Sequence, residues 1–89
     1  MKRAVRIIIS GKVQDVFFRK FIKEHSDRLE LKGYAKNNND GVEAWLEGDS
    51  ESINKMIELC KKGPRDAIVE KTEVIDENVN NFKNFKILY

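Results

Sequence analysis

The sequence contains little of the chemistry that metal sites and disulfide-stabilised folds require. It has one cysteine, Cys60, and one histidine, His25, among its 89 residues. One cysteine excludes an internal disulfide, and the two residues together exclude a zinc site built from the usual ligands within one chain. No cofactor is indicated. A fold without disulfides suits a reducing compartment, so we expect a cytoplasmic protein.

Long apolar runs and a large excess of one charge are also missing. No run approaches the ~18 apolar residues of a membrane span, and the start of the chain has no apolar stretch long enough for a signal peptide. The 17 Lys and Arg residues face 15 Asp and Glu residues, for a net charge of +2. This balance gives no strong attraction to nucleic acid or an anionic membrane, so neither is expected as a partner.

The residues that are present are sufficient for one small folded domain. Hydrophobic residues make up 40% of the chain, which provides a core and argues against disorder. At this length the chain forms one domain, residues 1–89, with a single core. We expect it to be a monomer.

Apolar spacing predicts the order β-α-β-β-α-β, followed by a short last strand. Strands are predicted near residues 5–10, 34–36, 42–47, 68–75 and 85–89, and a helix near 17–30. A second helix begins after a cap at Asp49 or Ser50 and stops at Gly63-Pro64. Asp40-Gly41 indicates a hairpin turn. This order predicts an α+β, ferredoxin-like sandwich, with an antiparallel sheet and two helices on one face.

The turn from the first strand into the first helix is a candidate anion site. The first amides of a helix lack intrahelical partners and lie at the positive end of its dipole. Arg19 lies in or next to the first turn, and a guanidinium can hold a phosphate through two parallel hydrogen bonds. The same residues also fit an alternative without a ligand, in which an ordinary turn is followed by a solvated arginine.

Asn37 is the second candidate, because it lies where the second strand leaves the sheet. It begins the run Asn37-Asn38-Asn39. Asparagines near turns usually bond their own backbone, so position alone also fits ordinary turn chemistry.

Two patterns in the sequence resemble the signatures of the acylphosphatase family. The first is Gly11-x-Val13-Gln14-x-Val16-x-Phe18-Arg19, and the second is Gly33-Tyr34-Ala35-Lys36-Asn37-x-x-x-Gly41. The likeness extends to the following segments: Val42-Glu43-Ala44, Glu47-Gly48, Gly63-Pro64 and Phe85-x-Ile87-x-Tyr89.

The resemblance implies a metal-free hydrolase of acyl phosphates that forms no covalent intermediate and releases a carboxylate and inorganic phosphate. It implies that Arg19 binds the phosphoryl group and that Asn37 positions the attacking water. The phosphoryl group would also be held by loop amides of Gln14, Asp15, Val16, Phe17, Phe18 and Arg19.

Asp15 departs from the family pattern, which has glycine at this position of the loop. Aspartate tolerates left-handed backbone geometry better than most residues, but its carboxylate would lie near a dianionic ligand. We expect it to cap the helix, to compete with phosphate for amide donors and to repel the ligand. The alternative is that Asp15 points to solvent, where its charge is screened and matters little.

The other polar candidates have structural explanations. His25 and Cys60 fall on the apolar stripes of the two helices, where a half-buried histidine and a small core cysteine are expected. Trp45 alternates onto the sheet face opposite Ala44 and Leu46, and Lys61-Lys62 are helix-end cations.

Two alternative functions remain open. RNA-recognition modules share the element order, and Lys32-Gly33-Tyr34-Ala35 is similar to the start of their main sheet motif. Lys36 and three asparagines follow, however, and the first strand has no stacking aromatic. The other alternative is a degenerate acylphosphatase-like domain that binds an anion or a partner without turnover, an alternative supported by Asp15.

Overall fold

Five strands and two helices follow one another along the chain in the predicted order. The computed structural model describes residues 1–39 and 41–89. The elements are β1 (Lys2–Lys12), α1 (Phe18–Arg28), β2 (Lys32–Asn37), β3 (Gly41–Asp49), α2 (Ser50–Lys62), β4 (Ile68–Glu77) and β5 (Phe85–Leu88). Asp49 is the cap of α2, because its side chain accepts a hydrogen bond from the Glu51 N–H. The predicted Asp40-Gly41 turn includes Asp40, which lies outside the described residues.

The strands form one sheet in the order β4-β1-β3-β2-β5. The four longer strands pair antiparallel, as predicted. The fold class is confirmed, but β5 pairs parallel with β2, so the complete sheet is mixed. This pairing places the end of β5 at the edge of the sheet beside the end of β2.

The core lies between the sheet and the two helices. Directly paired residues of β1 and β3 supply its floor: Val5 with Leu46, Ile7 with Ala44, and Ile9 with Val42. The helices cover this floor with buried side chains that recur at helical spacing: Phe18, Ile22, Ile53, Met56, Ile57 and Cys60. Each fully buried large aliphatic side chain contributes about 1.5–3 kcal/mol. This two-layer packing fixes where α1 begins relative to the end of β2.

The other face of the sheet carries an aromatic cluster. Trp45 lies there, as predicted by its alternation, and its ring stacks on Tyr34 with centroids 6.3 Å apart. The ring of Phe82, in the loop before β5, packs against both rings, with its centroid 6.0 Å from each of theirs. The buried carboxylate of Glu47 accepts hydrogen bonds from Trp45 Nε1 and from the backbone N–H groups of Asn80 and Phe82. These bonds fasten the β4–β5 loop to the sheet.

Within the described part of the chain, neither helix has the length and apolar character needed to cross a membrane.

Candidate active site

The loop of residues 13–17, the β1–α1 loop, has two residues in the left-handed region. Asp15 has φ 61° and Phe17 has φ 62°. Left-handed residues that alternate with right-handed ones turn successive backbone N–H groups toward one concave side, which forms an anion-binding nest. Among the described residues, no acceptor is paired with the backbone N–H groups of residues 14–17. The loop therefore has unpaired N–H donors to which an oxyanion could bind.

Two adjacent phenylalanines set the start of α1. The Phe18 side chain is 2% exposed and packs in the core, whereas that of Phe17 is 78% exposed. Phe17 is the N-cap residue, and no side chain caps the helix. The expectation that Asp15 caps α1 was therefore wrong, because Phe17 takes the cap position two residues further on. The free first-turn amides and the helix dipole remain directed at the loop.

Arg19, in the first turn of α1, is held by the C-terminal end of the chain. Its Nη1 donates a hydrogen bond to the Leu88 carbonyl at 3.1 Å. Its guanidinium carbon lies 4.9 Å from the centre of the Tyr89 ring, a cation–π distance. A guanidinium has five N–H donors, so four remain for a ligand. These two contacts orient the Arg19 side chain and do not neutralise its positive charge.

Asn37, the last residue of β2, points to the helix side of the sheet. Its side chain shares a face with the buried Ala35 because residues two apart in a strand project to the same side. The Asn37 Oδ1 atom is buried and has no hydrogen-bond partner among the described residues. Buried polar atoms are rarely left unsatisfied, so the Asn37 side chain is an unusual feature of this end of β2.

Arg19, Asn37 and Asp15 line one groove of about 780 Å³, the Arg19 groove, between α1 and the end of β5. Along its α1 side the charges are paired. Lys23 Nζ lies 2.9 Å from Asp27 Oδ2, and Lys20 Nζ lies 4.0 Å from Glu24 Oε1. No ion pair involves Arg19 or Asp15 within the described residues. Among the described side chains that line the groove, Arg19 is therefore an unpaired cation and Asp15 an unpaired anion.

The side chains with structural explanations lie elsewhere. His25 is half-buried, and its ring packs edge-on against Phe21 at 4.6 Å. Cys60 is fully buried in the core, and burial raises the pKa of its thiol to about 12. A nucleophilic thiolate is therefore disfavoured at Cys60.

Sequence reasoning missed three contributors to this site. The Leu88 carbonyl and the Tyr89 ring contact Arg19, and the Gln14 side chain donates to the Asn38 and Gly41 carbonyls. The Phe85-x-Ile87-x-Tyr89 ending was recognised as part of the resemblance, but no local pattern assigned it a role. The Gln14 contacts have no local signal, because their partners are 24 and 27 residues away.

The fold defines a ferredoxin-like domain, and Arg19 and Asn37 line one groove on it. Comparison with known proteins makes this specific. The acylphosphatase family model matches residues 5–87. An acylphosphatase of Caldivirga maquilingensis is 42% identical over 88 residues, which cover 96% of this chain and 93% of that protein. One from Pyrobaculum aerophilum is 46% identical over 91 residues, with 99% and 95% covered. The crystal structure of acylphosphatase from Bacillus subtilis superposes with a TM-score of 0.93 at 33% identity over all of both chains.

The chain belongs to the acylphosphatase family. It is a hydrolase of that kind, and acyl phosphates are the general class of substrate.

Proposed function

We propose that the chain hydrolyses acyl phosphates without a metal ion, using Arg19 and the loop amides to bind the phosphoryl group and Asn37 to orient the attacking water. The observation that carries this proposal is the convergence of Arg19 and Asn37 on one groove beside the β1–α1 loop. The amide donors come from residues 14–19, which comprise Gln14, Asp15, Val16, Phe17, Phe18 and Arg19.

The reaction needs little beyond positioning and charge stabilisation. Water attacks phosphorus, the bond between phosphorus and the acyl oxygen breaks, and the carboxylate leaves with the electron pair. The proton of the water passes to the phosphate or to solvent. A carboxylate is a weak base and leaves readily, so no strong nucleophile is required. Charge on the equatorial oxygens is what the site must stabilise.

Each proposed component meets one of these needs. The Arg19 guanidinium can grip two phosphoryl oxygens, and the nest amides point at the remaining charge. The Asn37 side chain lines the groove, and an amide can hydrogen-bond a water molecule and direct its lone pair at phosphorus. In this proposal Arg19 and the loop amides supply the positive potential that a metal cation would otherwise supply.

Hydrolysis of acetyl phosphate with excess EDTA tests the proposal. We expect full activity in the chelator, and inorganic phosphate should inhibit competitively because it occupies the same nest. A rate that EDTA removes and magnesium restores would contradict the metal-free mechanism. Phosphate binding without any turnover would instead support the degenerate anion-binding domain.

Asp15→Gly is expected to tighten phosphate binding and to raise kcat/KM. Asp15 is exposed and makes no hydrogen bond to a described residue, so repulsion replaces competition for amides as the expected penalty. Two like charges about 4 Å apart in water cost ~1 kcal/mol, which corresponds to roughly fivefold in affinity. Glycine also adopts the required left-handed geometry without strain.

Asp15→Asn separates the two causes because it removes the charge and keeps the β-carbon. It should recover part of the gain, and the difference from wild type should shrink in high salt. Asp66→Asn, which removes an exposed carboxylate after α2, is the matched control for net charge. Unchanged or weaker phosphate binding in Asp15→Gly would show that the loop has adapted to the aspartate.

We also propose that the chain acts in the cytoplasm as a monomer, with no nucleic-acid or membrane partner. The proposed compartment rests on the single buried cysteine, and the exclusion of these partners rests on the small net charge.

A further inference from the structure

We propose that the Gln14 side chain is a positioning residue that fixes Asn37 relative to the β1–α1 loop. The inference rests on the proposed function, in which Asn37 orients water. Gln14 Nε2 donates to the Asn38 carbonyl at 2.6 Å and to the Gly41 carbonyl at 2.8 Å. A side-chain amide has two N–H donors, and both are committed to the segment that follows Asn37.

The two carbonyls belong to Asn38 and Gly41, which are hydrogen-bonded to each other. The Asn38 N–H donates to the Gly41 carbonyl at 2.9 Å, and the Gly41 N–H donates to Asn38 Oδ1 at 2.8 Å. Because Asn38 and Gly41 are bonded to each other, a hold on both carbonyls holds this end of β2 and β3 as a unit. Asn37 directly precedes it.

The sheet links the two halves of the site only through β3, because Asn37 and Ile9 of β1 both pair with Val42. The β1–α1 loop follows β1, and Asn37 ends β2, but the strand order places β3 between these strands. The Gln14 side chain, by contrast, makes a direct contact between the β1–α1 loop and the residue that follows Asn37. The Asn37 side-chain oxygen has no protein partner among the described residues, so its location depends on the backbone that Gln14 holds.

The expected consequence is a loss of rate with little loss of phosphate binding. Misplacement of a catalytic group by about 1 Å costs roughly 100-fold in rate. Gln14→Met keeps the length of the side chain and removes both donors. We expect kcat for acetyl phosphate to fall roughly 10- to 100-fold, while the inhibition constant of inorganic phosphate changes by less than about threefold.

A double-mutant cycle with Asn37→Ala tests whether Gln14 acts through Asn37. If it does, adding Gln14→Met to Asn37→Ala should change kcat by less than about twofold, because coupled residues are not additive. Asn39→Ala, an exposed neighbour in the same turn, is the matched control and should leave kcat near the wild-type value. An equal loss in both backgrounds, or an equal loss of rate and phosphate binding, would overturn the inference.

Gln14→Glu adds a readout that a change in packing would not produce. The ionised carboxylate faces two carbonyl oxygens and has no donor, so its kcat should fall as well. A protonated carboxyl regains one O–H donor. The rate relative to wild type at the same pH should therefore recover as pH falls toward about 4–5. A constant ratio across this range would contradict the hydrogen-bond role.

Backbone 15N relaxation separates failure of this inference from failure of the proposed function. Order parameters of Asn37, Asn38 and Gly41 should fall from about 0.85 in the wild type toward 0.6 in Gln14→Met, whether or not the chain turns over substrate. Unchanged order parameters and unchanged kcat would refute the positioning role. Absence of acetyl phosphate hydrolysis in the wild type would refute the function itself, and the relaxation result would still decide the role of Gln14.

Discussion

Arg19→Ala is expected to lower kcat/KM for acetyl phosphate by about 1000-fold or more and to abolish inhibition by inorganic phosphate. A guanidinium that stabilises a transferring phosphoryl group is worth roughly 10³–10⁵ in rate. Arg19 has the only unpaired positive charge among the described residues that line the groove, apart from any contribution of the loop amides. Its loss therefore removes both ground-state binding of phosphate and stabilisation of the transition state.

The fold should survive this substitution. The Arg19 side chain makes one hydrogen bond, to Leu88, and one ring contact, with Tyr89, and contacts of this exposed kind contribute on the order of 1 kcal/mol. The thermal midpoint should therefore stay within a few degrees of wild type. Arg28→Ala, an exposed arginine in the last turn of the same helix, is the matched control. Turnover near the wild-type value in Arg19→Ala would remove Arg19 from the mechanism.

Arg19→Lys distinguishes charge from shape. Lysine keeps the positive charge but lacks the planar fork that binds two oxygens at once. We expect phosphate inhibition to be partly retained and kcat/KM to remain well below wild type. Equal kinetics for lysine and arginine would show that only the charge matters.

Asn37→Ala is expected to lower kcat roughly 100- to 1000-fold while phosphate still binds. Loss of one positioned amide that acts in a transition state costs about this much in other hydrolases. The proposed phosphate-binding loop and Arg19 are on different elements from Asn37, so we expect removal of its side chain to leave them intact. The effect should therefore fall on kcat rather than on ground-state binding.

The two possible roles of Asn37 are distinguished by comparing the loss of kcat with the loss of phosphate binding. Steady-state kcat and the inhibition constant of inorganic phosphate are compared in the same preparations, with Asn39→Ala as the matched asparagine control. If phosphate binding collapsed together with kcat, Asn37 would be a binding residue and its role with water would be wrong.

The RNA-binding alternative receives no support from the aromatic residues of the sheet. Tyr34 and Trp45 lie on the outer face, where such modules place stacking rings. Here the two rings stack on each other, and Phe82 packs against both at steep angles of 65° and 58°. Glu47 fastens the loop that carries Phe82 across this face, so the cluster is an internal contact of the domain.

The order of the elements was determined by the sequence, because the apolar period reports which residues face the core. Ile53, Met56, Ile57 and Cys60 fall at helical spacing and are all buried. Val42, Ala44 and Leu46 alternate and are all buried on one sheet face. The predicted first helix, residues 17–30, was slightly too long, since α1 runs from Phe18 to Arg28. Helix ends depend on local capping geometry that periodicity does not report.

The two candidate residues came from local sequence patterns and from a resemblance, while their arrangement was decided by the tertiary structure. Arg19 and Asn37 stand in recognisable signatures, and the fold brings both to one groove. The parallel pairing of β5 with β2, the Leu88 carbonyl on Arg19 and the grip of Gln14 had no local signal. The last two contacts join residues 24 to 69 positions apart. Contacts at that separation depend on which strands become neighbours, and strand neighbours are chosen when the whole core packs. The sequence by itself therefore determined the elements and the chemical groups, and only tertiary packing decided how those groups are held.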